Sequence, residues 1–247
     1  MRTSRRRALL LAVAGSASPV PNAAGWNDGP YATDVLSGVG AASCGPVDTS
    51  TLGSFTAART ASDLAGNTTS AAASHDVTAT ATKGAVLEEI QAALASTSGH
   101  DREALGQAVR ALTASLDPRQ WADPSHPAGK RVFADEAAAV DALAELHRSR
   151  RTSIPAAAIQ GWIASLVAVD RALAALAFAD ASSAGGDARK LAEAAKELAK
   201  GDSEAGRGRS NAAIEHYGNA WFAARQATVF HDAKGHTGDT KGASGEG

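Results

Sequence analysis

Between residues 84 and 230 apolar residues recur with a period near 3.6, the spacing of one helix face. Val86, Leu87, Ile90 and Leu94 share a side of a first helix, and Leu105, Val109, Leu112 and Leu116 form the stripe of a second. Asp117-Pro118 closes that second helix, because a residue before proline is pushed away from helical geometry. The segment "PRQWADPSHPAGK" then reads as a loop with three prolines and Trp121. A third helix carries Phe133, Val140, Leu143 and Leu146, and "RSRRTSIP" follows it as a basic connector. Ser153 is the expected cap of a fourth helix, with Pro155 in its first turn. That helix runs to about Ser183 on a stripe of Trp162, Leu166, Val169, Leu173 and Leu176, and Gly185-Gly186 stops it. A fifth helix is expected over Asp187–Lys200 or slightly further. A sixth, Ser210–Ala227, buries Ile214, Tyr217 and Trp221. Residues 231–247, "HDAKGHTGDTKGASGEG", hold no apolar anchor and are expected to be disordered.

The front of the chain follows a different pattern. Residues 18–82 are rich in Gly, Ser, Thr, Ala, Asp and Pro and nearly free of Lys, Glu and Leu. Turn formers without helix formers predict short strands. Ser54–Thr60 alternates, with Phe55, Ala57 and Arg59 against Thr56, Ala58 and Thr60, and a second strand is expected over Thr68–Thr80. Between them "SDLAGN" reads as a turn in which Asp63 and Asn67 bond local backbone and Gly66 takes positive φ. The predicted fold class is therefore mainly α: a bundle of about six helices over residues 84–230, preceded by a small β segment.

Composition narrows the function classes. Twenty-four Lys and Arg against 26 Asp and Glu give a net charge of −2, so nothing drives the chain electrostatically toward nucleic acid. Aromatic residues are 4% of the chain, so the core must rely on Leu, Ile, Val and four Trp. A single cysteine excludes an internal disulfide and a cysteine-based zinc site. No uninterrupted apolar run approaches the roughly 20 residues of a transmembrane helix. The first 17 residues have the layout of an export signal: Arg2, Arg5, Arg6 and Arg7, an apolar stretch over Ala8–Ala14, then small residues ending at Ala17. "SRRRALL" also resembles the twin-arginine export motif, with Arg5 and Arg6 as the pair.

Three segments in order, "ASPVPNAAGWNDGP", "LSGVGAASC" and "TASDLAGNTTSAA", resemble a bacterial immunoglobulin-like repeat of secreted and surface proteins over about residues 17–80. The resemblance implies a β-sandwich in which the "D-x-AGN" turn precedes the last strand. It also implies a strand after "GWNDGP" carrying a cysteine paired with the one aligned to Cys44; here "YATDVLSGV" follows almost at once, so the repeat is truncated and Cys44 lacks that partner. At the other end, "GRSNAAIEHYGNAW" is similar to the second helix of a tetratricopeptide repeat. Ala213, Tyr217 and Ala220 stand at the packing positions, and Gly201 stands where the first helix carries its glycine. There is no second copy, so the likeness implies one helical hairpin and not an array.

Candidate chemistry is sparse. His231, Asp232 and His236 are the one set with metal-ligating side chains, in a glycine-rich tail that does not pre-organise them. Asp135, Glu136, Asp141 and Glu145 are expected on a solvated face of the third helix, with Asp135 and Glu136 favouring its N-terminus. Asp170, inside the apolar fourth helix, is expected to pair at the edge of the bundle, with Arg171 beside it. Trp121 is expected to lid the core. Arg148, Arg150 and Arg151 form a solvated basic connector, and Lys190, Lys196 and Lys200 interleave with Glu193 and Glu197 on an ordinary helix face. Ser153 and His147 belong to no hydrolase motif, and no phosphate-binding glycine loop occurs.

The sequence thus predicts no catalytic, cofactor or metal site. The expected role is a non-catalytic, exported interaction or spacer module of a bacterial surface or secreted protein, contacting a protein or a cell-surface polymer. Two alternatives stay open: an accessory region of an extracellular hydrolase, and a cytoplasmic helical scaffold if the start of the chain is no signal.

Overall fold

The computed structural model describes residues 10–11, 32–33, 39–44, 52–149 and 151–235. It divides into two compact units, Met1–Ala81 and Thr82–Gly247. The expected export signal over residues 1–17 lies outside the described residues except for Leu10 and Leu11.

In the first unit two short antiparallel strands, β1 (Leu10–Leu11) and β2 (Ala32–Thr33), pair with each other. Strands β3 (Val39–Cys44), β4 (Gly53–Asp63) and β5 (Thr68–Val77) form an antiparallel meander in that order. β4 shows the period of two that a pleated strand requires: Ala57 and Ala61 are buried, whereas Thr56, Ala58 and Thr60 are exposed. Small hydroxyl side chains pair across the exposed face, as Ser43 Oγ does with Thr60 Oγ1 at 2.7 Å. The β4–β5 turn is the one the sequence predicts. The Asp63 N–H donates to Asn67 O (2.9 Å), Asn67 N–H and Nδ2 donate to the Asp63 carboxylate (2.7 and 2.6 Å), and Gly66 takes φ +83°. Cys44 ends β3 opposite Arg59.

The helices lie in the second unit, except for the first three residues of α1. Helix α1 (Ala79–Ala95) begins earlier than the expected residue 84, and β5 ends at Val77 and not at Thr80. The reason is Thr78, whose Oγ1 accepts from Ala81 N–H (3.4 Å) and starts the helix at a Thr/Ala stretch that reads as strand by composition. Then come α2 (Gly99–Ser115), a 3₁₀ turn over Pro118–Gln120, the short hairpin of β6 (Trp121–Asp123) and β7 (His126–Pro127), α3 (Arg131–Arg148), α4 (Ala156–Ser183), α5 (Ala188–Gly206) and α6 (Ser210–Gly235). The expected proline-rich loop thus folds into a small hairpin. The expected disordered tail is helical through Gly235, since "ATVFHDAKG" holds no helix breaker before its final glycine. Residues 236–247 lie outside the described residues.

The architecture is mainly α, six helices with a small β segment ahead of them. α3, α4 and α6 pack on one another, α2 lies on α3, and α5 lies on α6 and α4. The predicted stripes supply the core: Leu105, Leu112, Phe133, Val140, Leu143, Leu146, Leu166, Leu173, Ile214 and Tyr217 are buried. Two glycines permit the closest approaches. A Cβ at Gly201 would run into the Tyr217 ring, and one at Gly218 would lie 2.9 Å from Phe133 Cβ. Phe133 and Trp221 meet beside this point with ring centroids 5.8 Å apart. By length and composition α4 is the one helix among the described residues that could cross a membrane. In the bundle it packs on three helices and buries Asp170.

Candidate functional site

Two features of the helical unit stand out: an open groove beside α4 and a closed cluster of charges that joins three helices. The groove, of about 1080 Å³, lies between α3, α4 and the α5–α6 turn. Ile163, Ala164, Val167 and Ala168 occupy two successive turns of α4 and give it an apolar wall. They fall on the side of α4 away from Leu166, Val169 and Leu173, which are buried. Arg148, Arg171 and Arg209 line the same groove, with Asp141 and Asp202.

The polar floor is built by mutual pairing. Arg171 reaches Asp202 through Nε (2.7 Å) and an Nη atom (3.0 Å), and the Tyr217 hydroxyl donates to the same carboxylate at 3.0 Å. The Arg171 guanidinium holds the Asp202 carboxyl below its ordinary pKa. Burial, reinforced by the negative Asp202, raises the Tyr217 phenol well above its ordinary value. Tyr217 therefore keeps its proton and acts as a fixed donor. Arg209 is held by Glu204, 2.5 Å from its Nε. The Arg148 Nε donates to the Ala144 carbonyl of its own helix at 3.2 Å.

The closed cluster joins three helices. Lys83 of α1, Glu136 of α3 and Asp170 of α4 are each 0% exposed. The Lys83 ammonium lies 2.7 Å from Glu136 and 2.8 Å from Asp170. The Trp121 ring covers it, with Nζ 5.0 Å from the ring centroid, and the Trp121 Nε1 donates to Ser115 O at 2.7 Å. Trp121, half-buried, is the lid the sequence predicts, though what it closes over is an ion cluster as well as an apolar core.

This cluster corrects two expectations. Glu136 is not on a solvated face, and Asp170 is not at the edge of the bundle. Each side chain sits on its helix's apolar stripe: Glu136 three residues after Phe133 and four before Val140, Asp170 four after Leu166 and three before Leu173. Lys83, three residues before Val86, follows the same rule and went unrecognised as a site residue. The legible signal was a charged residue at a core position in each of three helices.

The remaining candidates do not converge. Asp135 accepts from Gln120 Nε2 (3.1 Å), whereas Asp141 and Glu145 are exposed. Ser153 does not cap α4, whose N-cap is Pro155; its N–H and Oγ donate to Asp101 of α2 at 2.8 and 2.7 Å. Those donors lower the Asp101 pKa. His147 faces Gln160 at 3.2 Å and is not paired with Ser153. Lys190 pairs with Glu193, and Lys200 with Glu197, as expected of a surface helix. His231 and Asp232 fall in the last turns of α6; His236 and Arg150 lie outside the described residues.

A smaller pocket of about 260 Å³ lies between the β6–β7 hairpin, α4 and α6. There His126 stands between Asp123 (2.8 Å) and Asp180 (3.5 Å). Among the described residues no three His, Cys, Asp or Glu side chains gather as metal ligands.

No protein-family model, curated protein or solved structure matches the chain.

Proposed function

We propose that the protein is a non-catalytic interaction module of a bacterial surface or secreted protein. Its helical unit offers the groove beside α4 to a protein partner or a cell-surface polymer. The observation that carries this reading is the apolar wall of Ile163, Ala164, Val167 and Ala168, left open between arginines on an otherwise well-packed helix. Apolar surface gathered in a concave, polar-rimmed site is what binding surfaces retain and ordinary surfaces shed. The cluster that most resembles reactive chemistry, Lys83 with two carboxyls, is closed to solvent, which favours a structural role for it.

One further observation supports the exported setting, and another the hairpin likeness. The β3–β4–β5 meander, with the Asp63–Asn67 turn ahead of its last strand, is compatible with a reduced immunoglobulin-like repeat over residues 17–80. The Gly201–Tyr217 contact in the α5–α6 hairpin fits a tetratricopeptide-style pair.

A photo-crosslinking residue at Ala164 tests the groove. It should capture a partner in the intact bacterium, and Val167→Glu should abolish the capture while leaving the circular dichroism melt unchanged. Equal capture by both forms would remove the groove from the proposal. Mass spectrometry of the mature N-terminus in cell fractions separates the settings. Cleavage after Ala17 in the exported fraction supports export, whereas an intact Met1 in the cytoplasm favours the scaffold alternative.

A further inference from the structure

We infer that the groove beside α4 takes a three-turn amphipathic helix of a partner protein, lying antiparallel to α4 with an acidic last turn between Arg148 and Arg209. The inference rests on the groove reading above and names the occupant.

α4 leaves more of itself uncovered than its composition warrants. It is apolar enough to cross a membrane, yet 39% of its apolar 18-residue stretch is buried. A helix apolar on all sides is ordinarily enclosed. On its outer side Ala157, Gly161, Ala164 and Ala168 are exposed at spacings of four, three and four, with Ile163 and Val167 half-buried beside them. That spacing is the seam along which a second helix packs.

The walls select a helix over other occupants. The groove follows α4 from Gln160 to Arg171, about 16 Å or three helical turns. It runs between helices, whose backbone groups are occupied by their own hydrogen bonds. An extended peptide laid there would leave its N–H and C=O groups without partners, whereas a helix satisfies its own. A saccharide chain would set hydroxyls against the apolar wall. A second copy meeting this surface across a twofold axis would oppose hollow to hollow.

Charge sets the direction. α3 runs opposite to α4: His147, near the end of α3, meets Gln160 near the start of α4, and Glu136 shares Lys83 with Asp170 further along. α6 runs with α4, since Arg171 joins Tyr217 through Asp202, and Ala177 and Ala181 line one pocket with Ala224 and Thr228. Arg148 and Arg209 therefore stand at the end where α4 begins. Among the described residues Arg148 has no ion-pair partner, and Arg209 shares the one carboxylate of Glu204 with Arg207. This end of the groove is left positive. At the other end Arg171 and Asp202 neutralise each other. Between the ends stands Asp141, exposed and unpaired among the described residues, seven positions or two turns before Arg148 on α3. An incoming helix that runs with α3 matches this order. Its carbonyl end and an acidic side chain fall between the two arginines, and a basic side chain seven positions earlier faces Asp141.

Selection from a phage-displayed three-helix scaffold tests this on the full chain. On the outer helix of the scaffold Ala, Val and Leu hold one heptad seam, and the flanking positions vary among Glu, Lys, Gln and Ala. Binders should carry Glu in the last turn and Lys seven positions earlier. Their affinity should fall at least about tenfold with Val167→Glu and with Gly161→Leu. The second variant preserves the fold, because open space lies where its Cβ stands and leucine favours the helix over glycine. Selection against the Arg148→Glu protein should enrich Lys in the last turn instead. An unenriched library, binders lacking this charge order, affinity indifferent to both groove variants, or an unchanged preference against Arg148→Glu overturns the inference. If Ala164 still captures a partner in the bacterium while the library fails, the helix alone falls; if both fail, the groove falls with it.

Discussion

Lys83 shows how much one residue decides in this molecule. A buried ammonium is tolerable only because two carboxyls and an aromatic face surround it, and removing one member of such a cluster leaves the rest uncompensated. Lys83→Met keeps the length of the side chain and discards the charge. It should cost about 3–5 kcal/mol in urea unfolding, the range for breaking a buried pair. Glu136→Gln should cost far less, because its amide still donates and accepts. A Lys83→Met protein as stable as the wild type would show that the cluster carries no net stabilisation. Each of the three charges was visible in the sequence. Their partnership was not, because Lys83 and Glu136 are 53 residues apart, and Lys83 and Asp170 are 87 apart.

At the scale of elements, ends were harder to read than centres. The stripe of α3 and the span of α4 came directly from apolar periodicity, since burial of one face dictates the 3.6 spacing whatever the partner. The misread boundaries were set by single hydrogen bonds, one local and one between segments far apart in the chain. Thr78 starts α1 early, and Ser153 gives its donors to Asp101 of α2 in place of α4. Asp187 is the counterexample, the residue on which the fifth helix is expected to open and the N-cap of α5 in the structure. Its carboxylate accepts from the N–H groups of Arg189 and Lys190 at 3.1 and 3.2 Å, while its own N–H is tied to Ala227 O at 3.0 Å. Asp187→Ala should destabilise the protein by about 1 kcal/mol, the usual value of an N-cap. Amide exchange should rise first over Ala188–Gly206; uniform exchange across the bundle would mean that packing on α6, and not the cap, holds the start of α5.

For the whole molecule, the charge cluster changes where the helical unit can be separated. A cut after residue 83, the boundary composition suggests, removes Lys83 and strands two buried carboxyls. A chain beginning at Thr78 keeps the cap of α1 and the lysine. The Thr78–Gly247 fragment should therefore melt in one cooperative transition, whereas the fragment beginning at Gly84 should melt broadly or at a much lower temperature. Identical melts would show that the helical unit does not need the cluster.

The sequence by itself determined the mainly α class, the sites of most core residues and the Asp63–Asn67 turn. These follow from local rules: the periodicity of burial, the freedom of glycine and the reach of a short side chain to nearby backbone. Tertiary structure alone decided that Lys83, Glu136 and Asp170 meet, that Gly201 admits the Tyr217 ring, and that one wall of α4 stays open as a groove. Those depend on which helix faces which. A stripe of apolar residues specifies that a face is buried, but its partner is set by shape and charge complementarity between segments far apart in the chain.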